Sequence, residues 1–281
     1  MLEEHYEVVI VRYGTRTTRR SDAFLNHHFY GIPDAEFTVD YFLWVLRNQD
    51  RTIIVDTGFS PEAGAKRNRT MTLHPVDALR SLGVDPAGRH QVIITHGHYD
   101  HIGNVRELPN SELLMSHREY EFWTSDMATR RQFAHFAEQA EIDELVAADR
   151  AGRLRFVTDG DHPAPGITIM ELGGHTPGQL AVTVETSEGP VLLASDAVHF
   201  YEELEQDMPF ISVADLPAMY AGFDTIRALL TERPHHLVTG HDATTLERFR
   251  AHPGELAGHA AVIGLHDERR LSGSEHARAG S

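Results

Sequence analysis

The feature that most constrains this chain is a run of metal-binding side chains that follows a short apolar segment at residues 92–94. These side chains are His96, His98, Asp100 and His101. Alternate residues of an extended segment share a face, so His96 and His98 can project the same way, whereas in a helix they would diverge. Gly97 between them leaves room for a tight turn. The pattern predicts a ligand-bearing loop at the carboxyl end of a strand.

Further candidate ligands also come directly after short apolar segments that are predicted to be strands. They are His175, Asp196 and His241. If these strands end at one edge of the sheets, five imidazoles and two carboxylates converge there. Imidazole and carboxylate both suit zinc, and this set exceeds what a closed structural zinc site needs. The sequence therefore predicts a metal centre that carries chemistry.

The charge balance and the absence of cysteine narrow the classes of function. The chain has 281 residues, with 25 Lys and Arg against 42 Asp and Glu, which gives a net charge of −17. Such acidity disfavours nucleic-acid binding unless a local basic patch exists. The densest basic stretch, with Arg16, Arg19 and Arg20, is too thin for a nucleic-acid groove and is interpreted as a solvated loop. Without cysteine, disulfides and thiolate metal sites are excluded.

The order of predicted elements indicates α/β architecture, with sheets covered by helices. Residues 41–55 are predicted to form a β-hairpin, and residues 14–38 an irregular segment. Helices are predicted at residues 75–82 and 215–232, and residues 116–150 are expected to be mostly helical. We assign residues 1–265 to a single domain and residues 266–281 to a polar, frayed tail.

Taken together, the motifs resemble those of the metallo-β-lactamase superfamily. Residues 96–101, His-Gly-His-Tyr-Asp-His, match its HxHxDH signature. Its later metal motifs match residues 174–178, 195–197 and 240–242, and its early strand-end motif matches residues 56–58. The resemblance spans residues 56–242 and implies an αββ/ββα four-layer sandwich, with the site at one edge of two packed sheets.

The resemblance also implies two divalent metal ions, with zinc as the expected metal. The ligands implied for one ion are His96, His98 and His175. Those implied for the other are Asp100, His101 and His241. Asp196 would bridge both ions. Asp56 would accept a hydrogen bond from a ligand imidazole and fix its tautomer, or else serve as a turn residue that caps Gly58.

Two neighbouring ions predict a hydrolase, because they can lower the pKa of a shared water from about 15.7 to near 7. Asp100 would pass a proton to the leaving group or act as a ligand only. Residues 41–58, 94–104 and 173–178 look most like the N-acyl homoserine lactonase branch. That resemblance implies opening of a lactone at its ester carbonyl, quorum-signal degradation and an apolar pocket for an acyl chain. Candidates for its wall, or alternatively for the core, are Phe24, Leu25, Phe29 and Tyr30.

His199 departs from that branch, since many of its members have a Tyr there that hydrogen-bonds the substrate carbonyl. An imidazole can donate such a bond, so His199 is a predicted catalytic residue, and Tyr201 nearby is left open. The alternative function is hydrolysis of another lactone, ester or thioester, as in glyoxalase II. We expect a cytoplasmic protein with a small-molecule substrate and neither nucleic acid nor membrane as partner. A homodimer is left open.

Overall fold

Two β-sheets lie face to face in the computed structural model, which describes residues 4–264. The strands are β1 (Glu7–Arg19), β2 (Glu36–Arg47), β3 (Thr52–Val55), β4 (Thr70–Met71), β5 (Gln91–Ile93), β6 (Glu112–Ser116), β7 (Leu154–Val157), β8 (Ile167–Glu171), β9 (Leu180–Val184), β10 (Val191–Ser195), β11 (His236–Thr239), β12 (Arg250–Ala251) and β13 (Ala260–Ile263). The helices are α1 (Pro61–Lys66), α2 (Pro75–Ser81), α3 (Tyr99–Ile102), α4 (His117–Trp123), α5 (Arg131–Ala134), α6 (Gln139–Arg150), α7 (Tyr201–Gln206) and α8 (Leu216–Glu232).

Strand order brings distant parts of the chain together. The first sheet runs β12-β13-β1-β2-β3-β5-β6-β7, with β4 paired to β1 beside this path. Its pairs are antiparallel as far as β3 and parallel from β3 to β7. The second sheet runs β11-β10-β9-β8, and its β10–β11 pair is parallel.

The residues of β1 show why both faces of the first sheet are buried. Val9 and Val11 pack in the core shared with α2 and α6, whereas Val8 and Ile10 pack against the second sheet. Successive side chains of a strand point to opposite faces, so this continuous apolar run suits a strand between two layers. On the far side of the second sheet, Phe223 and its neighbours in α8 form a third core. The layers are therefore helix, sheet, sheet and helix, which confirms the predicted αββ/ββα sandwich.

The hairpin and the two helices that were predicted from turn and cap residues are confirmed. The hairpin of β2 and β3 is present, and Asn48 Oδ1 accepts bonds from the backbone of Asp50 and Arg51 in its turn. The helices predicted at residues 75–82 and 215–232 are also confirmed as α2 and α8, and Asp215 caps the start of α8. No helix within residues 4–264 is long and apolar enough to cross a membrane.

The prediction of an irregular segment at residues 14–38 is wrong at both ends. The chain continues β1 through Arg19 and begins β2 at Glu36, with Thr17 opposite Thr38. These polar residues become strand because they pair with each other, and tertiary context of this kind overrides local composition. The expectation that residues 116–150 are mostly helical is confirmed, since α4, α5, α6 and one 3-10 helix between α4 and α5 cover most of this region. The single-domain assignment stays a prediction, and the predicted tail at residues 266–281 lies outside the described residues.

A core substitution tests the outer helix layer. Phe223→Ala should lower the free energy of unfolding by about 3–5 kcal/mol, because this fully buried ring leaves a cavity between α8 and the second sheet. Phe29→Ala is the matched control, since that ring is 70% exposed and its loss should change stability by less than about 0.5 kcal/mol. Urea denaturation of the metal-free protein measures both. Equal effects of the two substitutions would contradict this layer arrangement.

Candidate metal centre

The predicted ligands come together in two buried sets. The ligand atoms of one set lie within 4.8 Å of one another and belong to His96, His98, His175 and Asp196. Those of the other set meet the same limit and belong to Asp100, His101 and His241. The two sets coincide with the division between two ions that the sequence predicts.

The ends of strands place these side chains. His96 and His98 lie in the loop after β5, and the short helix α3 then carries Asp100 and His101. Asp196 follows β10 directly, and β11 is the parallel neighbour of β10, with Ser195 beside Thr239. The chain therefore leaves both strands at the same edge. His241 Nε2 consequently lies 3.1 Å from Asp196 Oδ2.

The Asp196 carboxylate reaches both sets. Its Oδ2 lies 3.4 Å from His175 Nε2 and 3.7 Å from His96 Nε2, on the side of the first set. Its Oδ1 lies 3.4 Å from His101 Nε2, on the side of the second set. This carboxylate is thus placed where a group that bridges two metal ions would lie.

Hydrogen bonds from Nδ1 orient three of the imidazoles. His175 Nδ1 donates to the Ser212 carbonyl at 2.8 Å, and His241 Nδ1 donates to the Asp40 carbonyl at 2.7 Å. His101 Nδ1 lies 2.7 Å from Asp56 Oδ2, so the hydrogen bond predicted for Asp56 is present. Each of these bonds places a proton on Nδ1 and turns Nε2 toward the cluster, so Nε2 is the nitrogen available to a metal ion.

The arrangement of donors fits divalent cations. His175 Nε2 carries a lone pair, yet it lies 2.9 Å from His98 Nδ1 and 3.3 Å from His96 Nε2. Nitrogen lone pairs at such distances repel one another unless a proton or a cation lies between them. Within the described residues, the buried atoms His101 Nε2 and Asp196 Oδ1 also have no hydrogen-bond partner. Buried polar atoms without partners are costly, and N and O ligands to a cation would satisfy them.

Burial determines the protonation state of the three imidazoles in the first set. It lowers the pKa of His96 and of His98 well below the usual value, and it lowers the pKa of His175 to about 3. These imidazoles are neutral, which is the form that binds metal. Burial also acts to lower the pKa of His101, but the nearby carboxylates of Asp196 and Asp56 outweigh it and raise that pKa. A bound cation takes the place of this proton.

Glu119 is a buried carboxylate that the sequence analysis missed. Its Oε1 accepts bonds from Gly97 N at 2.9 Å and Trp123 Nε1 at 2.6 Å, and its Oε2 accepts one from Gly178 N at 2.8 Å. It therefore ties the loop of His96 and His98 to the loop that follows His175. No local pattern marks it, because its partners are mostly backbone groups of loops that are distant in sequence.

Gly97 is required for a different reason from the one predicted. Its φ is not positive, so no special turn is involved. A Cβ there would lie 2.4 Å from Trp123 Cδ1. Close packing of the loop against the indole ring therefore excludes a side chain at this position.

A cavity of about 270 Å³ opens beside the cluster. Asp100 lies on its wall, together with other ligands of both sets. Its apolar wall includes Phe136, Phe210 and Ile211. Phe24, Leu25, Phe29 and Tyr30 are not among its lining residues, so of the two alternatives left open for them the structure does not support the pocket wall. Phe24 is instead fully buried in the core, and Phe29 is exposed.

His199 lies behind Asp196 rather than on the cavity wall. It is fully buried, with Nε2 3.3 Å from Asp196 Oδ2 and Nδ1 3.2 Å from Glu203 Oε2. The Tyr201 hydroxyl donates to the Leu237 carbonyl at 3.1 Å and so points toward β11. The phenols on the wall are those of Tyr41 and Tyr99, which the sequence analysis did not identify.

Known proteins resemble this chain in sequence and in fold. An N-acyl homoserine lactonase of Bacillus sp is 27% identical over 203 residues, which cover 66% of this chain and 71% of the relative. A solved quorum-quenching N-acyl homoserine lactone lactonase aligns with a TM-score of 0.74 at 19% identity and covers 89% of this chain and 98% of its own. The structure of AidC, a dizinc quorum-quenching lactonase in complex with a product, aligns with a TM-score of 0.70 at 17% identity, over 95% of this chain and 96% of its own.

The family comparison covers the whole metal centre. The sequence model of the Metallo-beta-lactamase superfamily matches residues 39–241, which is well over half of the chain and includes all the candidate ligands. The fold and the arrangement of buried His and Asp side chains agree with that match. This chain therefore belongs to the metallo-β-lactamase superfamily.

Proposed function

We propose that this chain is a dinuclear-metal hydrolase that opens the ester bond of a lactone, with N-acyl homoserine lactone as the expected substrate and quorum-signal degradation as the expected role. The observation that supports it most is the pair of buried ligand sets joined by Asp196 beside a cavity. Relatives named as N-acyl homoserine lactonases support the choice of substrate.

The residues that would hold the ions are the two sets described above. The ligands proposed for one ion are His96, His98 and His175. Those proposed for the other are Asp100, His101 and His241, with Asp196 shared. Zinc is the proposed metal, because imidazole and carboxylate suit it and a dizinc lactonase has the same fold. When bound, two such ions supply Lewis acidity toward a carbonyl and a water nucleophile at neutral pH.

Asp100 is the proposed proton carrier. Its carboxylate lies on the cavity wall, 3.8 Å from His241 Nε2 and 3.9 Å from His101 Nε2. In the reaction a water oxygen forms a bond to the ester carbonyl carbon, and the bond to the ring oxygen breaks. Asp100 would take the proton that the water loses and pass it to that leaving oxygen, so the products are an acid and an alcohol.

Other side chains would hold the substrate. Tyr41 and Tyr99 are lining residues of the cavity, and Phe136 and Phe210 can flank an acyl chain. His199 was predicted to contact the substrate carbonyl. Its position favours a different role, in which Nε2 and the Glu203 carboxylate behind the ring hold Asp196 in place.

We also propose that the protein is cytoplasmic and acts on a small molecule, without nucleic acid or a membrane as partner. The net charge of −17 supports the exclusion of nucleic acid. A homodimer remains open.

The first test is a pH-stat assay of metal-loaded protein. We expect acid release from N-acyl homoserine lactones, lost when a chelator removes the metal and restored by added zinc. Short- and long-chain lactones, simple γ- and δ-lactones, a phenyl ester and a glutathione thioester are assayed in parallel, with metal content measured on each sample. Two bound ions without turnover of any lactone would overturn the lactonase proposal, and turnover of the thioester alone would favour a glyoxalase II-like activity.

The role of Glu119 is tested by Glu119→Gln. A glutamine has one acceptor oxygen, so the side chain can no longer accept bonds from both the Gly97 and the Gly178 loops. Metal affinity should fall about 10- to 100-fold, as is typical when a partner that orients the ligands is lost. Competition with a colorimetric chelator measures the stepwise release, and one ion should be lost well before the other.

Glu121→Gln is the control for that experiment. Glu121 is on the same helix, but its side chain is 65% exposed. Removal of its charge should leave the affinity for both ions unchanged. Identical metal affinities in the two variants would show that Glu119 does not position the ligand loops.

A further inference from the structure

Three arginines lie on the cavity wall next to the metal centre. Arg67 is paired with Glu138, whereas the other two lie at neighbouring positions of paired strands. Arg16 belongs to β1, and Arg69 directly precedes β4. Thr15 of β1 pairs with Thr70 of β4, so Arg16 and Arg69 are the next residues along the two antiparallel strands. Like charges opposite each other destabilise a strand pair. An anion between them would remove that repulsion.

Arg16 lacks the partner that its neighbours have. Arg12 pairs with Asp40 at 3.2 Å, and Arg19 pairs with Asp34 at 2.5 Å. Within the described residues, the Arg16 side chain makes no hydrogen bond and no ion pair, although its Nε is buried. In a chain with 42 acidic residues, a half-buried arginine without a carboxylate partner is unusual. The earlier interpretation of Arg16 as part of a solvated loop is therefore wrong.

Arg69 is held in place but is also without an ion pair in the part of the chain that the structure describes. Its Nε donates to the Tyr99 hydroxyl at 3.1 Å, and its Nη1 donates to the Arg67 carbonyl at 2.6 Å. Burial raises the pKa of Tyr41 to about 12, and both Arg16 and Arg69 oppose that rise. Arg16, Arg69 and Tyr41 all line the same cavity.

Within the described residues, none of the carboxylates of this cavity forms an ion pair with Arg16 or Arg69. Asp100 and Asp196 belong to the metal centre, and Asp22 is an exposed side chain. The two arginines therefore add unpaired positive charge to the wall of an otherwise acidic protein. A guanidinium group offers a planar set of donors that matches a carboxylate or a phosphate.

We propose that Arg16 and Arg69 bind an anionic group of the substrate, a carboxylate or a phosphate that is separate from the ester that is cleaved. This inference rests on the proposed function and deepens it. The natural substrate is then an N-acyl homoserine lactone or a related ester whose acyl part carries an anionic group. The apolar wall at Phe136 and Phe210 contacts the part of the substrate between the two ends.

The kinetic test compares an N-acyl homoserine lactone that ends in a carboxylate with the same lactone that ends in a primary amide. We expect kcat/KM to favour the charged substrate by about tenfold or more in the wild type, as charge-assisted hydrogen bonds imply. In Arg16→Gln the ratio should fall to near one. The control is Arg19→Gln, which removes the same charge from the same strand outside the cavity and should keep the ratio. A ratio near one in the wild type, or a ratio kept by Arg16→Gln, overturns the inference.

A binding experiment separates this inference from the proposed function, because it needs no hydrolysis. Metal-loaded protein is titrated calorimetrically with linear dicarboxylates from succinate to suberate and with the monoamide of each. At one chain length the diacid should bind about tenfold more tightly than its monoamide, and Arg16→Gln should abolish the difference. This result without lactone turnover would contradict the proposed function alone.

Two outcomes of the titration overturn the inference. One is equal binding of diacid and monoamide by the wild type at every length. The other is an equal loss for both ligands in Arg16→Gln, because the arginine would then hold the single carboxylate that hydrolysis releases. Arg16 suits this test because its replacement removes no internal hydrogen bond of the described residues.

Discussion

The convergence of buried nitrogen and oxygen atoms at one edge of the sandwich is the constraint on which this site depends. The imidazole nitrogens of His96, His98 and His175 point at one another, and Asp196 reaches from them to His101. Among these atoms, His101 Nε2 and Asp196 Oδ1 are buried without a hydrogen-bond partner in the described residues, which is costly in a dry interior. Two cations would turn the same contacts into ligand bonds. Stability of this edge of the sandwich and its chemistry therefore depend on one event, the binding of metal.

The scaffold holds the cluster ready for that event. Parallel strands β10 and β11 place Asp196 and His241 side by side. The backbone carbonyls of Asp40 in β2 and of Ser212 fix the tautomers of His241 and His175. Glu119 accepts hydrogen bonds from the backbone of two ligand loops and so holds these loops together. Because every partner of this kind is buried, the ligands keep their geometry before metal arrives. The cavity beside them can then differ among relatives without change to the centre itself.

The ligands could be predicted because each follows a strand and the HxHxDH spacing is local. Asp56 could be predicted in the same way, because its motif also follows a strand. Glu119, Arg16 and Tyr41 could not be predicted, because each acquires its role from pairing or packing between distant segments. The same limit explains why β13, which joins β1 from the far end of the chain, was missed. The role predicted for His199 came from the Tyr that many members of the lactonase branch have at this position. His199 is close to the metal centre, but it faces Asp196 and not the cavity.

Anomalous diffraction from crystals of the metal-loaded protein, recorded on both sides of the metal's absorption edge, shows whether two ions bind at this centre. We expect two peaks, one on either side of the Asp196 carboxylate. One should be bounded by His96, His98 and His175, and the other by Asp100, His101 and His241. A single peak, or a peak that lacks Asp196 as a neighbour, would contradict the dinuclear centre.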